Sequence, residues 1–471
     1  MRIRHVFSRL HFILFTLLFL VGCSSLKTNK SHYAGIAPLL EKGDYEALIQ
    51  KVERAKEEKK AYSYKNRVVY YLDIGLLLHW KGEYEKSNIY LEKAERAIDD
   101  NFTKSVTRAA SSLIGNDNLL AYSGEDYEDI YLNVFKALNY FALHKNDDAF
   151  VEMRRMNNKL VLLESKYDKV AQEFNKAKEA HTTFRSGKNP FQESSLGRVL
   201  SLILYRDDLK WDDARIDLEK MNRGWKIQPR IYSFSEPDLS ALIKPIPSKK
   251  TRLDLLAFTG LAPDKKAKTF YIHTEENVII LAGTKENYFG NQVLSGGNVI
   301  YWDEMPAGYH FKFQLPYMKR RPSQVARVEV SIKGVGTYSL PMLDSLENVA
   351  VETFKIKKPL IYFKTVIRAV LKGLAAEKGK QKATEGMDSL AGFLVRVVAD
   401  VAVDLTENAD LRTSRFFPAK AYFREVYLDE GTYEIQVNYY GKNNLLLYSD
   451  KKEAVLLSKE RINLLESVYL N

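Results

Sequence analysis

Apolar positions recur every three to four residues from Tyr33 to about Arg223, with few prolines. That is the period of amphipathic helices. Beyond Pro229 the pattern changes. Prolines cluster at Pro229, Pro237, Pro245 and Pro247, and short runs of β-branched and aromatic residues follow, which read as strands separated by turns. The chain therefore predicts a multidomain α+β protein. An α-helical region occupies 33–228, a linker 229–250, and an antiparallel β-rich domain 251–471.

Within the first half one short pattern repeats. Gly43-Asp44-Tyr45-Glu46-Ala47-Leu48 is followed by Gly82-Glu83-Tyr84-Glu85-Lys86-Ser87, with Leu91 and Ala94 beyond it. Lys145-Asn146-Asp147-Asp148-Ala149 and Lys210-Trp211-Asp212-Asp213-Ala214 are weaker copies. Each lies between two amphipathic stretches and predicts a helix, a tight turn and a second helix. Glycine ends the first helix in left-handed geometry, and acids suit the positive start of the next. The unit around Tyr70 to Asp99 resembles the tetratricopeptide repeat; the third copy lacks the glycine and aromatic, and the fourth lacks the glycine. The resemblance implies a tetratricopeptide-like α-helical array, built of stacked helix pairs that bind a partner on a concave face. The segment Tyr122-Ser123-Gly124-Glu125-Asp126-Tyr127-Glu128-Asp129 opens the third unit with an acidic cluster that suits a helix start.

In the second half, strands are predicted over 269–273, 277–282, 309–315, 325–333 with 338–340 as partner, 421–428, 432–440 and 445–448. Gly296-Gly297 predicts a hairpin between 292–294 and 299–302. A helical insertion is expected over about 359–405. Pro359 suits a first turn, and Leu360, Phe363, Ile367, Val370, Leu371 and Leu374 form an apolar stripe. Lys364, Arg368 and Lys372 form a basic stripe at spacing four, which fits either a solvated face or a contact with anionic lipid. A second helix over about 388–405 follows a polar loop over 378–386. Its Arg396, Asp400 and Asp404 argue against a membrane span.

The N-terminus adds location. Arg2, Arg4 and Arg9 precede an apolar run over 10–21, which ends in Leu20-Val21-Gly22-Cys23. Such a run is short for a spanning helix and suits a signal peptide. The four-residue box resembles the lipobox of bacterial lipoproteins. The resemblance implies that 1–22 is removed, that Cys23 is lipidated, and that 23–32 is a tether. Ser24, where an aspartate would retain the protein in the inner membrane, points to the outer membrane, facing the periplasm. The eight residues 24–31 reach under about 30 Å at roughly 3.5 Å each. Cys23 is the only cysteine, so disulfides are excluded.

The 471 residues carry a net charge of +11, and +8 without the three signal arginines. A basic envelope protein fits anionic lipid, lipopolysaccharide or peptidoglycan, and a solvated basic surface fits equally. Nucleic acid is excluded by compartment.

No His-Glu-x-x-His, Gly-x-Ser-x-Gly or Walker loop occurs in the sequence, and no cofactor or metal site is expected. Asp207-Asp208 and Asp212-Asp213 flank a helix turn, where capping explains them better than acid–base chemistry. Arg412 and Arg415, in Asp410-Leu411-Arg412-Thr413-Ser414-Arg415-Phe416-Phe417-Pro418, suit either an anion site or ion pairs fastening helix to sheet.

The layout resembles a family of uncharacterised bacterial lipoproteins with tetratricopeptide-like helices before a strand-rich region. The resembling segments are Tyr122-Ser123-Gly124-Glu125-Asp126-Tyr127, Phe135-Lys136-Ala137-Leu138-Asn139-Tyr140, Gly260-Leu261-Ala262-Pro263 and Ala409-Asp410-Leu411-Arg412. It implies no catalytic residues. The expected function is a non-enzymatic, membrane-anchored scaffold with an envelope protein partner. The alternatives are an envelope enzyme acting on glycan or lipid through carboxylates, and a peptidoglycan or glycolipid binder.

Overall fold

A computed structural model describes residues 35–58, 62–107, 120–175, 189–247, 249–286, 292–301, 307–308, 310–384 and 409–471. Cys23, the signal segment and the helix expected over 388–405 lie outside the described residues. The fold is mixed α+β, with helices in the first half and sheets in the second. Among the described residues no helix is long and apolar enough to cross a membrane.

The helices of the first half are α1 (Ala37–Glu41), α2 (Tyr45–Glu57), α3 (Arg67–Lys81), α4 (Tyr84–Thr107), α5 (Asp126–Ala142), α6 (Asn146–Asn175), α7 (Ser195–Asp207) and α8 (Trp211–Ile227). They pack as antiparallel pairs around four turns of one design. In each, a residue with positive φ follows the first helix: Gly43 at 64°, Gly82 at 86°, His144 at 55° and Leu209 at 58°. The next N–H then reaches back five residues: Asp44 to Leu39, Glu83 to Leu78, Lys145 to Tyr140 and Lys210 to Tyr205, at 2.9, 2.9, 2.9 and 2.7 Å. This is the Schellman closure, which satisfies carbonyls left open at a helix end. His144 and Leu209 thus fill the glycine position in the two copies that lack glycine. Small residues let the pairs close. Ala149 and Ala214 are fully buried, Ser87 Oγ donates to the Gly75 carbonyl at 2.7 Å, and a Cβ on Gly75 would meet Leu91 at 2.7 Å.

Sheets follow. β1 (Lys250–Thr259), β8 (Met342–Asp344), β9 (Lys420–Asp429) and β12 (Leu464–Tyr469) form one, in the order β12-β1-β9-β8. β6 (Arg327–Ile332), β7 (Gly336–Leu340), β10 (Gly431–Tyr440) and β11 (Leu446–Leu457) form a second, in the order β11-β10-β6-β7. β2 (Asp264–Glu275), β3 (Val278–Glu286), β4 (Gln292–Tyr301) and β5 (His310–Lys319) form a third, in the order β4-β3-β2-β5. Pairing is antiparallel except that β12 runs parallel to β1. The first sheet is covered on both faces. Leu253, Leu255 and Ala257 meet the second sheet, while Leu256 and Phe258 join the core of the helices. A strand buried on both faces reads as a continuous apolar run, not an alternating one, which is why β1 escaped the alternation pattern.

The inner helices α3, α5 and α7 are consequently buried on two sides. Trp80, Phe135, Phe258 and Phe417 pack ring against ring across the junction. The inner helices, where a partner groove was expected, are covered by Leu256 and Phe258 of the first sheet and by Phe416 and Phe417.

Two local expectations are corrected. Gly296-Gly297 is not a hairpin. β4 continues through it, and the pairing passes from Ala282 opposite Gly297 to Gly283 opposite Ser295. Gly296 is the extra residue of a bulge, a place where glycine's freedom is useful. Pro359 does not start a helix, and the 378–386 loop does not begin at 378. The helix is α9 (Leu346–Thr384), with Pro359 inside it. Ser345 caps its start by accepting the Asn348 N–H at 3.3 Å. Buried Leu346, Val349, Ala350 and Ile356 continue the apolar stripe upstream of the proline. This packing outweighs the lost hydrogen bond of Pro359.

Leu209 is 74% exposed, so its side chain contributes little packing to offset left-handed strain of about 1–2 kcal/mol. Leu209→Gly is expected to stabilise the protein by about 1 kcal/mol, read as a rise in urea midpoint with the slope unchanged. A fall would show that the side chain holds the turn.

Candidate functional site

The acidic opening of α5 and the 409–419 segment, far apart in sequence, meet in space. Glu128 is fully buried. Its Oε1 accepts from Thr413 Oγ1 at 3.0 Å and the Ser414 N–H at 2.6 Å; its Oε2 accepts from Tyr122 Oη at 2.7 Å and the Glu125 N–H at 2.8 Å. Asp73 of α3 is buried beside it. It accepts from Tyr62 Oη, Ser414 Oγ and the Arg415 N–H at 2.8, 2.8 and 2.9 Å. Asp344 of β8 serves α7 in the same way. It accepts from Tyr131 Oη, Ser194 Oγ and the Leu196 N–H, each at 3.1 Å, and from the Ser345 N–H at 2.8 Å. A carboxylate from the sheet thereby caps a helix of the array.

Above Glu128 lies a pocket of about 180 Å³ between the start of α5, the first turns of α9 beyond Pro359, β2, β5 and residues 409–412. Three groups singled out in the sequence converge on it: Tyr122 to Asp126, Arg412, and Lys364. Arg412 donates twice to Asp410 at 2.8 Å, and to the Leu120 carbonyl at 2.9 Å. Its guanidinium also stacks 5.3 Å from the Tyr122 ring centroid. Glu125 pairs with Lys265 of β2 and Lys357 of α9. Asp126 pairs with Lys166 of α6 at 2.9 Å and accepts from Tyr167 Oη at 2.6 Å. Burial raises the Asp126 carboxyl, and Lys166 and Lys357 outweigh it, leaving the group below its ordinary value. Burial likewise lowers Lys265, and Glu125 and Asp410 outweigh that.

Arg415 lies outside this pocket, paired with Asp264 at 2.5 Å beside Arg321, which donates to the Ala262 and Arg415 carbonyls at 2.6 and 3.1 Å. Arg415 thus fastens the loop to β2, whereas the ion pair of Arg412 stays within the 409–412 segment and its bond to the Leu120 carbonyl ties that segment to the residues before α5. Arg368 and Lys372 are in α9, and nothing is assigned to their side chains. Cys23 lies outside the described residues. Sequence reading missed Lys166, Lys265, Lys357 and Asp264. Each is an ordinary charged position on its own element, and only the fold brings them together.

The acid pairs at the fourth turn do not face one another. Asp207 accepts from Asn146 at 2.8 Å, Asp208 pairs with Lys210 at 2.7 Å, and Asp212 stands 3.7 Å from Arg215. Two carboxylates do meet elsewhere. Asp254 of β1 lies opposite Glu425 of β9, and Arg206 reaches both, at 3.3 and 2.5 Å. Burial pushes Asp254 up to about 7. Arg252 pairs with Glu425 at 2.6 Å, and both carboxylates are buried. Among the described residues no group of three histidine, cysteine or acidic side chains is placed to hold a metal.

No protein family, curated protein or solved structure matches the chain. The site is therefore read from its own geometry. Asp73, Glu128 and Asp344 are each held by three or more donors of the chain itself, whereas Asp254 Oδ2 accepts from Arg206 at 3.3 Å and its Oδ1 has no hydrogen-bond partner among the described residues.

Two expectations test this electrostatic seam. Burial raises Asp73 and Asp344 from 3.8 to about 6 each. The folded chain then binds more protons than the unfolded chain between about pH 4 and 6. The contribution is complete below the unfolded value and is lost as pH rises through about 6. Stability read from urea titration should therefore rise as pH falls from about 7.5 to about 5, by about 1.4 kcal/mol per group, with the full ~3 kcal/mol reached only below about pH 4. Asp344→Asn should remove its share of that slope; an unchanged slope would show Asp344 ionised throughout. Glu125→Ala leaves Lys265 and Lys357 without their shared partner and is expected to cost about 3 kcal/mol. A loss below about 0.5 kcal/mol in denaturant titration would assign the lysines to other partners.

Proposed function

We propose that the chain is a lipid-anchored envelope protein, held through Cys23 at the outer membrane facing the periplasm, that acts as a non-catalytic scaffold for other proteins. The observation that carries this reading is the fourfold repetition of one turn, with the same left-handed position and the same five-residue closure at Gly43, Gly82, His144 and Leu209. It supports a tetratricopeptide-like array, a type of structure that works by docking. The carboxylates of Asp73, Glu128 and Asp344, engaged by donors of the chain itself, support a structural role for those three groups.

With the inner helices covered, docking falls to the outward face. There α4 and α6 flank an open groove of about 490 Å³. Ile89 and Val151 stand on its walls at 55% and 46% exposure. Its floor is Lys136, 2% exposed and held by Glu92, Glu95 and Glu152 at 2.7, 2.9 and 3.0 Å. Exposed aliphatic side chains around a fixed charge suit a protein surface of mixed character.

A photo-reactive residue at Ile89 or Val151, introduced into the full chain in cells, is expected to give a reproducible crosslinked protein. Absence of any adduct at both positions, with adducts at neither flank of the groove, counts against the scaffold. Labelling with a radioactive fatty acid tests the anchor separately: label is expected on the native chain and none on Cys23→Ser.

A further inference from the structure

The four turns lie along one edge of the array. Antiparallel pairing places them there, and contacts between turns agree: Lys81 pairs with Glu46 at 2.7 Å, and Asn146 donates to Asp207 at 2.8 Å. The chain enters the described body at Gly35, next to α1, and α1 has only five residues before the first turn. Five helical residues rise about 8 Å. The described body therefore begins about 8 Å from this edge, which is where an anchor upstream of Gly35 would join it.

Gly43 and Gly82 take the left-handed position without strain, whereas His144 and Leu209 take it with a side chain, and that of Leu209 is branched, apolar and 74% exposed. Trp211, two residues on, is 39% exposed. A strained, exposed leucine beside an exposed tryptophan is a poor choice for a surface that meets only water. Strain kept at one position is a pointer to use. Next to them opens a groove of about 450 Å³ between Pro245, Ile246 and the 459–463 turn.

The charge of the groove has a sign. Lys250, Arg252, Lys459 and Arg461 line it, against Asp207 and Asp254. Asp254 is buried on Arg206 and Asp207 is engaged by Asn146. Lys250 also pairs with Asp429 at 2.9 Å in an exposed contact, Arg252 is held by Glu425, and Arg461 donates to the Leu456 carbonyl at 2.7 Å and lies 3.4 Å from His144, leaving its charge unneutralised among the described residues. Outside the groove, Asp208 is countered by Lys210. The groove thus offers an apolar lip and a cationic rim on the edge near which the described body begins. That combination matches an amphiphile with a negative headgroup, in which tryptophan sits at the level of the headgroups.

We propose that this groove is a lipid-binding site at the membrane surface: Leu209 and Trp211 enter the acyl boundary, and Lys459 and Arg461, with Lys250, hold the phosphate of an anionic phospholipid. The proposal rests on anchoring through Cys23. It orients the body with its turn edge on the bilayer and its pocket of Glu125, Lys265 and Arg412 away from it.

The test uses the full lipid-bearing chain in vesicles of phosphatidylethanolamine and phosphatidylglycerol, the latter with brominated acyl chains. Bromine quenches nearby indole emission. Quenching is expected in the native chain and lost in Trp211→Phe, which isolates this tryptophan from the other three. Replacing phosphatidylglycerol by equally brominated phosphatidylcholine, or introducing Lys459→Glu with Arg461→Glu, should reduce it at least twofold. Leu209→Gly should reduce it while the urea midpoint rises, a pairing that misfolding cannot produce. A chain that floats with the vesicles but whose Trp211 stays unquenched overturns the proposal alone. So does a polypeptide that co-purifies on the groove and shields Trp211 from bromine. A chain that does not float overturns the anchor, and this site with it.

Discussion

Buried carboxylates between the inner helices and the strand-rich half are the interaction on which the rest of the structure depends. Asp73, Glu128 and Asp344 are fully buried, and a buried charge is costly unless its hydrogen bonds are complete. Completion comes from across the junction: Ser414 and Arg415 for Asp73, Thr413 and Ser414 for Glu128, Tyr131 and Leu196 for Asp344. Apolar contact between Trp80, Phe135, Phe258 and Phe417 supplies adhesion without direction. The carboxylates supply the direction, because a shift of one residue in the 409–419 segment would leave several of them without donors. Adhesion and register are thus carried by different groups in the same interface.

The same arrangement decides what remains available for function. The chain's own sheet covers the inner helices, so that surface serves folding. Of the acids singled out in the sequence, Asp207 is engaged by Asn146 and Asp208 by Lys210. Arg206 between Asp254 and Glu425 is a cation locked between two strands. Replacing such a cluster by apolar side chains is often neutral for stability, so its value here lies in fixing how α7 meets the sheet.

Local chemistry was legible in the sequence wherever neighbours in the chain decide the structure. Gly43 and Gly82 announce their turns because few other residues adopt that backbone easily. His144 and Leu209 do not, and only the acids and Ala149 or Ala214 after them reveal the repeat. Strands β6, β7, β9 and β10 show alternation because one face of each is drier than the other. β1 does not, since both its faces are covered. Pro359 reads as a helix start by local preference, and packing by Leu346 to Ile356 overrides it. The pocket of Glu125, Asp126, Lys265, Lys357 and Arg412 was half visible. Its members on α5 and at 410–412 formed unusual local sequences, while the lysines on β2 and α9 were ordinary until tertiary contact gave them partners. The fold class was readable from periodicity, and the closure of the two halves on each other was not.

The bonds across the junction join residues far apart along the chain. Ser414 meets Asp73 over 341 positions, Trp80 meets Phe416 over 336, and His79 meets Glu466 over 387. An open solenoid can grow or fray from either end, because every unit leans only on its neighbours. This array cannot. Its apolar inner wall stays bare until the far end of the polypeptide comes back to cover it, and contacts of that span are slow to form. During that delay the exposed wall is open to aggregation.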